Sequence, residues 1–141
     1  MQIRKATKKD VPALIKLYSN LPQLRDFAGQ QYRSNYFEAF LNKKNRIVLV
    51  AEHEQEIIGG LNAEFENTAQ YAFLNNIVVK KTYRKRGVAT ALLKRIREES
   101  KKQKNKRLIL VVYDWNKPMH QLMKELRYEK YGKTVVYSKK L

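Results

Sequence analysis

The spacing of hydrophobic and polar positions in the first half of the chain predicts a strand, two helices and a hairpin. QIRKA, residues 2–6, is a short strand, and TKKDVPALIKLYSNL is a helix with Pro12 in its first turn and an end before Pro22. RIVLVAEHE and EIIGGLNAEFE are strands of a hairpin that turns near Glu54 and Gln55. QQYRSNYFEAFLNKK is a second helix with aromatic residues along one side, namely Tyr32, Tyr36, Phe37 and Phe40.

The second half continues with alternating strands and helices. QYAFLNNIVV and RLILVVY are strands, and TVVYSK is a last strand. A helix follows Gly87, and NKPMHQLMKEL is a helix with Asn116 as its N-cap and Pro118 in its first turn. The order β-α-α-β-β-β-α-β-α-β predicts an α/β protein of the mixed, α+β type, with helices on both faces of one sheet. No linker stands out, so residues 1–141 are expected to form a single domain.

Composition narrows the class of protein. With 43% hydrophobic residues the chain can bury one core, and with no cysteine it has no disulfides, thiol catalysis or cysteine-bound zinc. The sequence has no apolar run of 18 residues, and MQIRKATKKD has no apolar segment of the kind found in signal peptides. A cytoplasmic protein that does not enter a membrane is therefore expected.

The charge is strongly unbalanced. A net charge of +17 favours an anionic partner such as nucleic acid, a ribosome, a polyphosphate cofactor or an acidic protein. The alternative is a proteome adapted to heat or salt, with lysines on every surface. Between residues 80 and 107, 13 of 28 side chains are basic and two are acidic, which exceeds what one cofactor can use. The surplus is either a solvated face or a docking surface for RNA, a ribosome or DNA.

The basic turn before the third helix is a candidate phosphate site. The first N–H groups of a helix have no partner within the helix and carry a partial positive charge, and Gly87 lets an anion approach the backbone closely. Thr90 adds a hydroxyl, Ala89 is small, and three cations precede the glycine: Arg84, Lys85 and Arg86. Neither the P-loop pattern GxxxxGK[ST] nor the dinucleotide pattern GxGxxG is present. Phosphate binding, a grip on a nucleic-acid backbone and an ordinary charged helix start remain open on spacing alone.

The same turn resembles the GNAT superfamily of acetyl-CoA-dependent acyltransferases. The family's motif Q/R-x-x-G-x-G/A, at the start of its third helix, is matched by Arg84-Lys85-Arg86-Gly87-Val88-Ala89. The strand, linker and helix in NNIVVKKTYRKRGVATALL fit the family's distances, and IRKATKKDVPALIKLY and VVYDWNKPMHQLMKELRYEK resemble its opening and later segments. The resemblance covers essentially the whole chain and implies a GNAT-like domain with a central, mostly antiparallel twisted sheet.

The resemblance also implies a cosubstrate site for acetyl-CoA and no metal. Backbone N–H groups of residues 85–90 would hold the CoA pyrophosphate, the strand that contains residues 77–79 would lie along the pantetheine arm, and Asn116 would touch that arm. A backbone N–H on the strand polarises the thioester carbonyl in the family. The implied cofactor-binding residues are Ile77, Val78, Val79, Arg84, Lys85, Arg86, Gly87, Val88, Ala89, Thr90 and Asn116.

The chain departs from the family where the proton-transfer groups are expected. Met123 stands in place of the tyrosine that usually protonates the leaving thiolate, and Val111 stands where some relatives carry a glutamate base. Tyr113 is the nearest substitute proton donor, and Asn75 could order a water that removes the amine proton. The competing interpretations are a packing aromatic at the end of a strand for Tyr113 and a polar residue on an edge or splayed strand for Asn75.

The predicted activity is transfer of an acetyl group from acetyl-CoA to a primary amine, on a small molecule or a protein, by direct attack on the thioester. The alternative is a catalytically weak GNAT-fold module that binds CoA, nucleic acid or a ribosome. His53 and His120 are far apart and have no acidic partners at ligand spacing, so no metal site is expected. The expected assembly is a monomer or a homodimer. The aromatic residues of the second helix either pack in the core or line an acceptor groove.

Overall fold

A five-stranded sheet is the framework of the molecule. The strands follow one another in the order of the chain; β1 to β4 are antiparallel neighbours, and β5 adds to β4 in parallel. The mostly antiparallel sheet is therefore confirmed. Their bounds are β1 (Gln2–Lys5), β2 (Arg46–His53), β3 (Glu56–Glu66), β4 (Tyr71–Val79) and β5 (Arg107–Leu110).

The computed structural model describes residues 1–19, 34–139 and 141. Tyr32 and Pro22 lie outside these residues. The described chain divides into two units, Met1–Leu110 and Val111–Leu141, and each is treated by itself. The single domain over residues 1–141 stays a prediction.

The hairpin between β2 and β3 turns where the sequence predicts it. Glu54 and Gln55 both have positive φ angles, 48° and 64°. Two left-handed residues in a row match the right-handed twist of the flanking strands and so close a two-residue hairpin.

Three helices of the first unit cover both faces of the sheet. They are α1 (Val11–Tyr18), which follows a 3-10 turn at Lys8–Asp10, α2 (Ser34–Leu41) and α3 (Val88–Lys102). Adjacent residues of β3 show the arrangement, because a Cβ on Gly59 would meet Val88 of α3 at 2.9 Å and a Cβ on Gly60 would meet Tyr18 of α1 at 3.0 Å. Successive residues of a strand face opposite sides. The predicted helices on both faces are confirmed.

The predicted apolar stripes form the core. Phe37 and Phe40 of α2 are buried and Tyr36 is half-buried, so core packing is the confirmed role of the two phenylalanines. They pack with α1 and with Val48, Val50 and Val78 of the sheet. The stripe of α3 is also buried, with Val88, Leu92, Leu93 and Ile96 each no more than 3% exposed.

A buried carboxylate joins the start of α1 to β1. Arg4 donates from Nη1 to Asp10 Oδ2 at 2.8 Å and from Nη2 to Asp10 Oδ1 at 2.9 Å, and the N–H of Thr7 donates to Asp10 Oδ2 at 2.7 Å. The hydrogen bonds from Arg4 hold the pKa of Asp10 below its ordinary value of 3.8, although burial acts in the opposite direction. Asp10 is therefore ionised in the folded protein at pH values where it is already protonated in the unfolded chain.

Replacing Asp10 by asparagine is expected to lower the free energy of unfolding at pH 7 by about 1–3 kcal/mol, because Arg4 loses the closer of its two carboxylate partners and keeps only Glu52, at 3.1 Å. The lowered pKa stabilises the fold above pH 3.8, and this contribution disappears as the pH falls through the folded value. The difference between the two proteins should thus shrink below pH 4. Urea unfolding across pH 3–7 measures it, with the exposed Glu98→Gln as control. A difference that is constant with pH would contradict the assignment.

The second unit contains α4 (Lys117–Glu125). Asn116 caps it as predicted, because its Oδ1 accepts the N–H of Met119 at 3.3 Å. The predicted strand TVVYSK is wrong, since residues 134–139 form no strand and Val135, Val136 and Tyr137 are at least 50% exposed. A short apolar run such as this one forms a strand only where a neighbouring strand is there to pair with it.

The strand predicted in RLILVVY is shorter in the structure. β5 ends at Leu110, so Val111 and Tyr113 do not share a strand face as the sequence suggested. Pairing with β4 ends at the same place, because Leu110 pairs with Leu74 and the regular register of β4 is interrupted at the next residue.

Candidate functional site

An irregularity in β4 opens the sheet beside β5. The β3–β4 register runs from Asn62↔Asn76 directly to Ala63↔Leu74, so Asn75 is an extra residue and forms a β-bulge. Parallel pairing with β5 stops at Leu74. From Asn75 onward, this edge of β4 has no partner strand among the described residues, and Asn75 itself is exposed.

Alternation along β4 decides which peptide groups face the open edge. The N–H of Lys80 donates to the carbonyl of Ile58 on β3 at 2.8 Å, so the peptide groups of Val78 and Asn76 also point to β3. Those of Ile77 and Val79 then point to the open edge. Arg84 confirms this direction for Val79, because its Nε donates to the Val79 carbonyl at 3.1 Å. Val78 instead buries its side chain in the core.

The turn from β4 into α3, which we call the Gly87 turn (residues 84–87), contains two left-handed residues. After a 3-10 turn at Lys81–Tyr83, Lys85 has φ 59° and Gly87 has φ 81°. Left-handed residues within such a turn direct successive N–H groups to one side, which makes a concave site for anions. A Cβ on Gly87 would meet no atom within 4 Å, so packing does not require a glycine here. The glycine instead supplies the φ angle and leaves the concave side clear.

The N–H groups of this turn have no acceptors. Among the described residues, no backbone or side-chain group accepts a hydrogen bond from the N–H of residues 85–90, and the first contact of the helix is Ala91 N–H to the Gly87 carbonyl at 3.0 Å. These six donors lie in the turn and in the first residues at the positive end of a 15-residue helix. The arrangement is suited to a phosphate or pyrophosphate.

The three cations of the turn are not equivalent. Arg84 folds back onto β4 through Val79, and the guanidinium of Arg86 lies over the ring of Tyr83 at 5.7 Å. Lys85 is exposed, and none of the three cations has an ion-pair partner among the described residues. All three remain charged next to the free N–H groups, and Thr90 is exposed one turn into the helix.

Sequence reasoning missed a polar cluster on the other face of the bulge. Asn62 is fully buried; its Nδ2 donates to the Tyr36 hydroxyl oxygen at 3.0 Å, and its Oδ1 accepts from the Tyr18 hydroxyl at 3.0 Å. Asn76 Nδ2 also donates to the Tyr36 oxygen, at 3.5 Å. We call these four residues the Tyr36 network. The one signal in the sequence was an asparagine within the apolar stretch GGLNAEF.

The candidate residues of the second unit are near one another. Tyr113 stacks on Trp115 with ring centroids 5.5 Å apart, and its carbonyl oxygen accepts the N–H of Asn116 at 3.0 Å. The Nε2 of His120 lies 3.0 Å from the same carbonyl oxygen. Met123 is half-buried on α4.

The described residues give no indication of a metal site or of a membrane-spanning helix. No group of three or more His, Asp and Glu side chains there could hold a metal ion, and His53 instead contacts the ring of Tyr83 at 5.9 Å. No helix in this part of the chain has the length and apolar character needed to cross a bilayer. Surface cavities of about 350 and 480 Å³ contain no residue of the Gly87 turn in their linings.

Solved structures share the fold at low sequence identity. AAC(6')-Iy, an aminoglycoside N-acetyltransferase in complex with CoA, matches with a TM-score of 0.81 and 19% identity over 99% of this chain and 100% of that one. A transcriptional regulator from Bacillus halodurans C-125 matches with a TM-score of 0.85 and 18% identity over 97% and 98%. An aminoglycoside acetyltransferase from an uncultured soil metagenomic sample, in complex with sisomicin, matches with 0.80 and 16% over 99% and 95%.

The family is established by sequence. The model of the acetyltransferase (GNAT) family matches residues 12–128, which include the β4 bulge, the Gly87 turn and α4. The resemblance to this family and the fold class that the sequence predicted are thus both confirmed. The chain belongs to the GNAT family of acetyltransferases.

Proposed function

We propose that this protein transfers the acetyl group of acetyl-CoA to a primary amine by direct attack of the amine on the thioester. The observation that carries the proposal is the row of six N–H groups without acceptors at the Gly87 turn. A pyrophosphate there would accept these hydrogen bonds and balance the charges of Lys85 and Arg86. The turn would then hold one end of CoA.

The open edge of β4 supports the position of the rest of the cofactor. The pantetheine arm contains amide groups, and the edge offers the peptide groups of Ile77 and Val79, which point away from β3. An arm that pairs with them would lie where β5 leaves β4, and would bring the thioester toward the bulge at Asn75. Fixed N–H donors on this edge would stabilise the oxyanion that forms during attack.

Proton transfer is the less demanding part of this chemistry. A thiol has a pKa of about 8.5, so a thiolate is an acceptable leaving group, and general acid or base catalysis contributes about 10²–10⁴-fold. We assign the proton donor to Tyr113, because Met123 cannot donate a proton, and we assign to Asn75 the ordering of a water that accepts the amine proton. The exposure of Asn75 at the bulge is compatible with a bound water.

The test is release of free thiol from acetyl-CoA in the presence of different amines, with the acetylated product identified by mass spectrometry. A polyamine, an aminoglycoside, a peptide with a free N-terminus and a peptide with an internal lysine cover the acceptor classes. We expect release to require an amine and to rise with pH as that amine loses its proton. If CoA binds and no amine promotes release, the protein is a binding module and the proposed reaction is wrong.

A second candidate function, binding of a nucleic-acid backbone, is favoured by the outer face of α3. Arg95 and Lys102 are paired with Glu99 at 2.9 and 3.1 Å, and Lys5 lies 3.5 Å from the same carboxylate. The remaining cations of α3 and the loop after it are exposed and make no ion pair within the described part of the chain; we call them the α3 row: Lys94, Arg97, Lys101, Lys104 and Lys106.

The composition of the α3 row indicates the kind of partner. It contains no aromatic side chain on which bases could stack, and the apolar side of α3 is buried against the sheet. A row of cations without an apolar anchor suits the phosphates of a duplex better than a single strand or a membrane surface. We therefore infer that an RNA or DNA duplex, free or in a ribosome, would contact this face through its backbone.

A further inference from the structure

The Tyr36 network places four polar side chains inside an apolar layer. Its neighbours on this side of the sheet include Leu14, Phe37 and Val78, and Asn62 and Tyr18 are both 0% exposed. Burying an amide is costly unless its hydrogen bonds are made, and a pair of well-packed apolar residues would be a simpler solution for stability. The network is therefore a candidate for a role other than stability.

The location of the network indicates that role. Asn62 on β3 and Asn76 on β4 are opposite each other in the register, and the next pair is displaced by the bulge at Asn75. The Tyr36 oxygen accepts an N–H from each asparagine and so connects the two strands at the irregular position. A bulge has no regular ladder to fix its peptide groups, so a side-chain bridge at this point determines their direction.

Packing of the Tyr36 ring holds its hydroxyl oxygen in place. The ring makes an edge contact with Phe37, with centroids 5.3 Å apart, and packs against Phe40 at 5.2 Å; both phenylalanines are buried. The bridge therefore connects the buried side of α2 to the strand whose other edge is open.

We propose that Tyr36 is a positioning residue for acetyl transfer, whose hydroxyl fixes the peptide groups of the β4 bulge through Asn62 and Asn76. This inference rests on the proposed function, in which the open edge of β4 aligns the thioester. A small error in that alignment lowers the rate of attack strongly, whereas the phosphate contacts at the Gly87 turn are unchanged. The bridge should therefore act on kcat rather than on cofactor affinity.

The Tyr36→Phe variant tests the proposal, because it keeps the ring and removes the oxygen. We expect kcat to fall about 10- to 100-fold and the Kd for CoA to stay within about threefold. In ¹⁵N–¹H spectra of the free protein, the amide signals of Asn75, Asn76 and Ile77 should shift.

Tyr71→Phe is the control. It also removes a tyrosine hydroxyl, at the start of the same strand and outside the Tyr36 network. We expect a kcat and a Kd for CoA within about threefold of the parent and unchanged amide signals for Asn75, Asn76 and Ile77.

Two results would overturn the proposal: unchanged amide signals in Tyr36→Phe, or an equal loss of kcat in Tyr71→Phe. The spectra need no acetyl transfer. If no amine is acetylated by the parent protein, the proposed function fails, while the amide signals still show whether Tyr36 fixes the bulge.

Discussion

Replacing Gly87 by glutamate is expected to raise the Kd for CoA by about 100-fold or more, which corresponds to about 2.7 kcal/mol of binding free energy. The new carboxylate would extend into the space next to the added Cβ, which has no atom within 4 Å and where the phosphate is proposed to bind. It would repel the phosphates and accept some of the six free N–H groups itself. The left-handed φ of 81° adds strain of about 1 kcal/mol to the folded protein.

Two variants separate these effects in titration calorimetry with CoA. Gly87→Ala adds the backbone strain without the charge, and a loss of less than about tenfold is expected, since a methyl group occupies little of the clear space. Gly132→Glu is matched in geometry, because Gly132 also has a positive φ, 101°, and no atom within 4 Å of an added Cβ. It should bind CoA as the parent does. A Kd for Gly87→Glu within threefold of the parent would show that CoA phosphates bind elsewhere.

Removing three charges of the α3 row is expected to weaken binding of a nucleic-acid duplex by about 10- to 100-fold at low salt. The variant is Lys94→Gln, Arg97→Gln and Lys101→Gln, three exposed positions that span about 10 Å of one helix face. Each phosphate contact contributes a slope of about −0.9 to the dependence of log K on log salt, so the slope should fall in magnitude by about 2 to 3. Fluorescence anisotropy with a labelled duplex RNA and the same sequence as DNA measures both quantities.

The control variant changes the net charge equally at another surface. Lys8→Gln, Lys9→Gln and Lys16→Gln also remove three exposed cations, from the first 3-10 turn and α1. Measured at 0.1 M salt, its affinity should stay within about threefold of the parent, since long-range attraction is screened there beyond about 10 Å. Equal losses in both variants would show that the total charge of +17, rather than the α3 row, attracts the duplex. A parent protein without affinity at low salt would leave α3 as a solvated face.

Local features of the site could be predicted from the sequence. The Gly87 turn is encoded within a few residues: a strand, a glycine that tolerates positive φ and a helix with a clear apolar stripe. The cap at Asn116 and the turn at Glu54 and Gln55 are local in the same sense, since each depends on residues that are neighbours in the chain.

Features that depend on pairing between distant segments could not be predicted. The Tyr36 network requires the register of β3 against β4, the extra residue at Asn75 and the docking of α2. Tyr36 and Asn62, which the network joins, are 26 residues apart in the chain. The absence of the predicted strand at residues 134–139 has the same cause, because its apolar run carries no information on a partner strand. RLILVVY predicts one strand, and its apolar run does not show that pairing with β4 ends at Leu110.

The open edge of β4 also bears on how the protein behaves at high concentration. An unpaired strand edge is a template on which a second molecule can add a strand, and such contacts lead to aggregation. Lys80 and Lys81 follow the edge directly, and the net charge of +17 makes copies of the chain repel one another. This protection weakens as salt screens the charges, whereas a pantetheine arm paired with Ile77 and Val79 would cover the edge itself. Cofactor loading would then keep the protein monodisperse under conditions in which the empty protein self-associates.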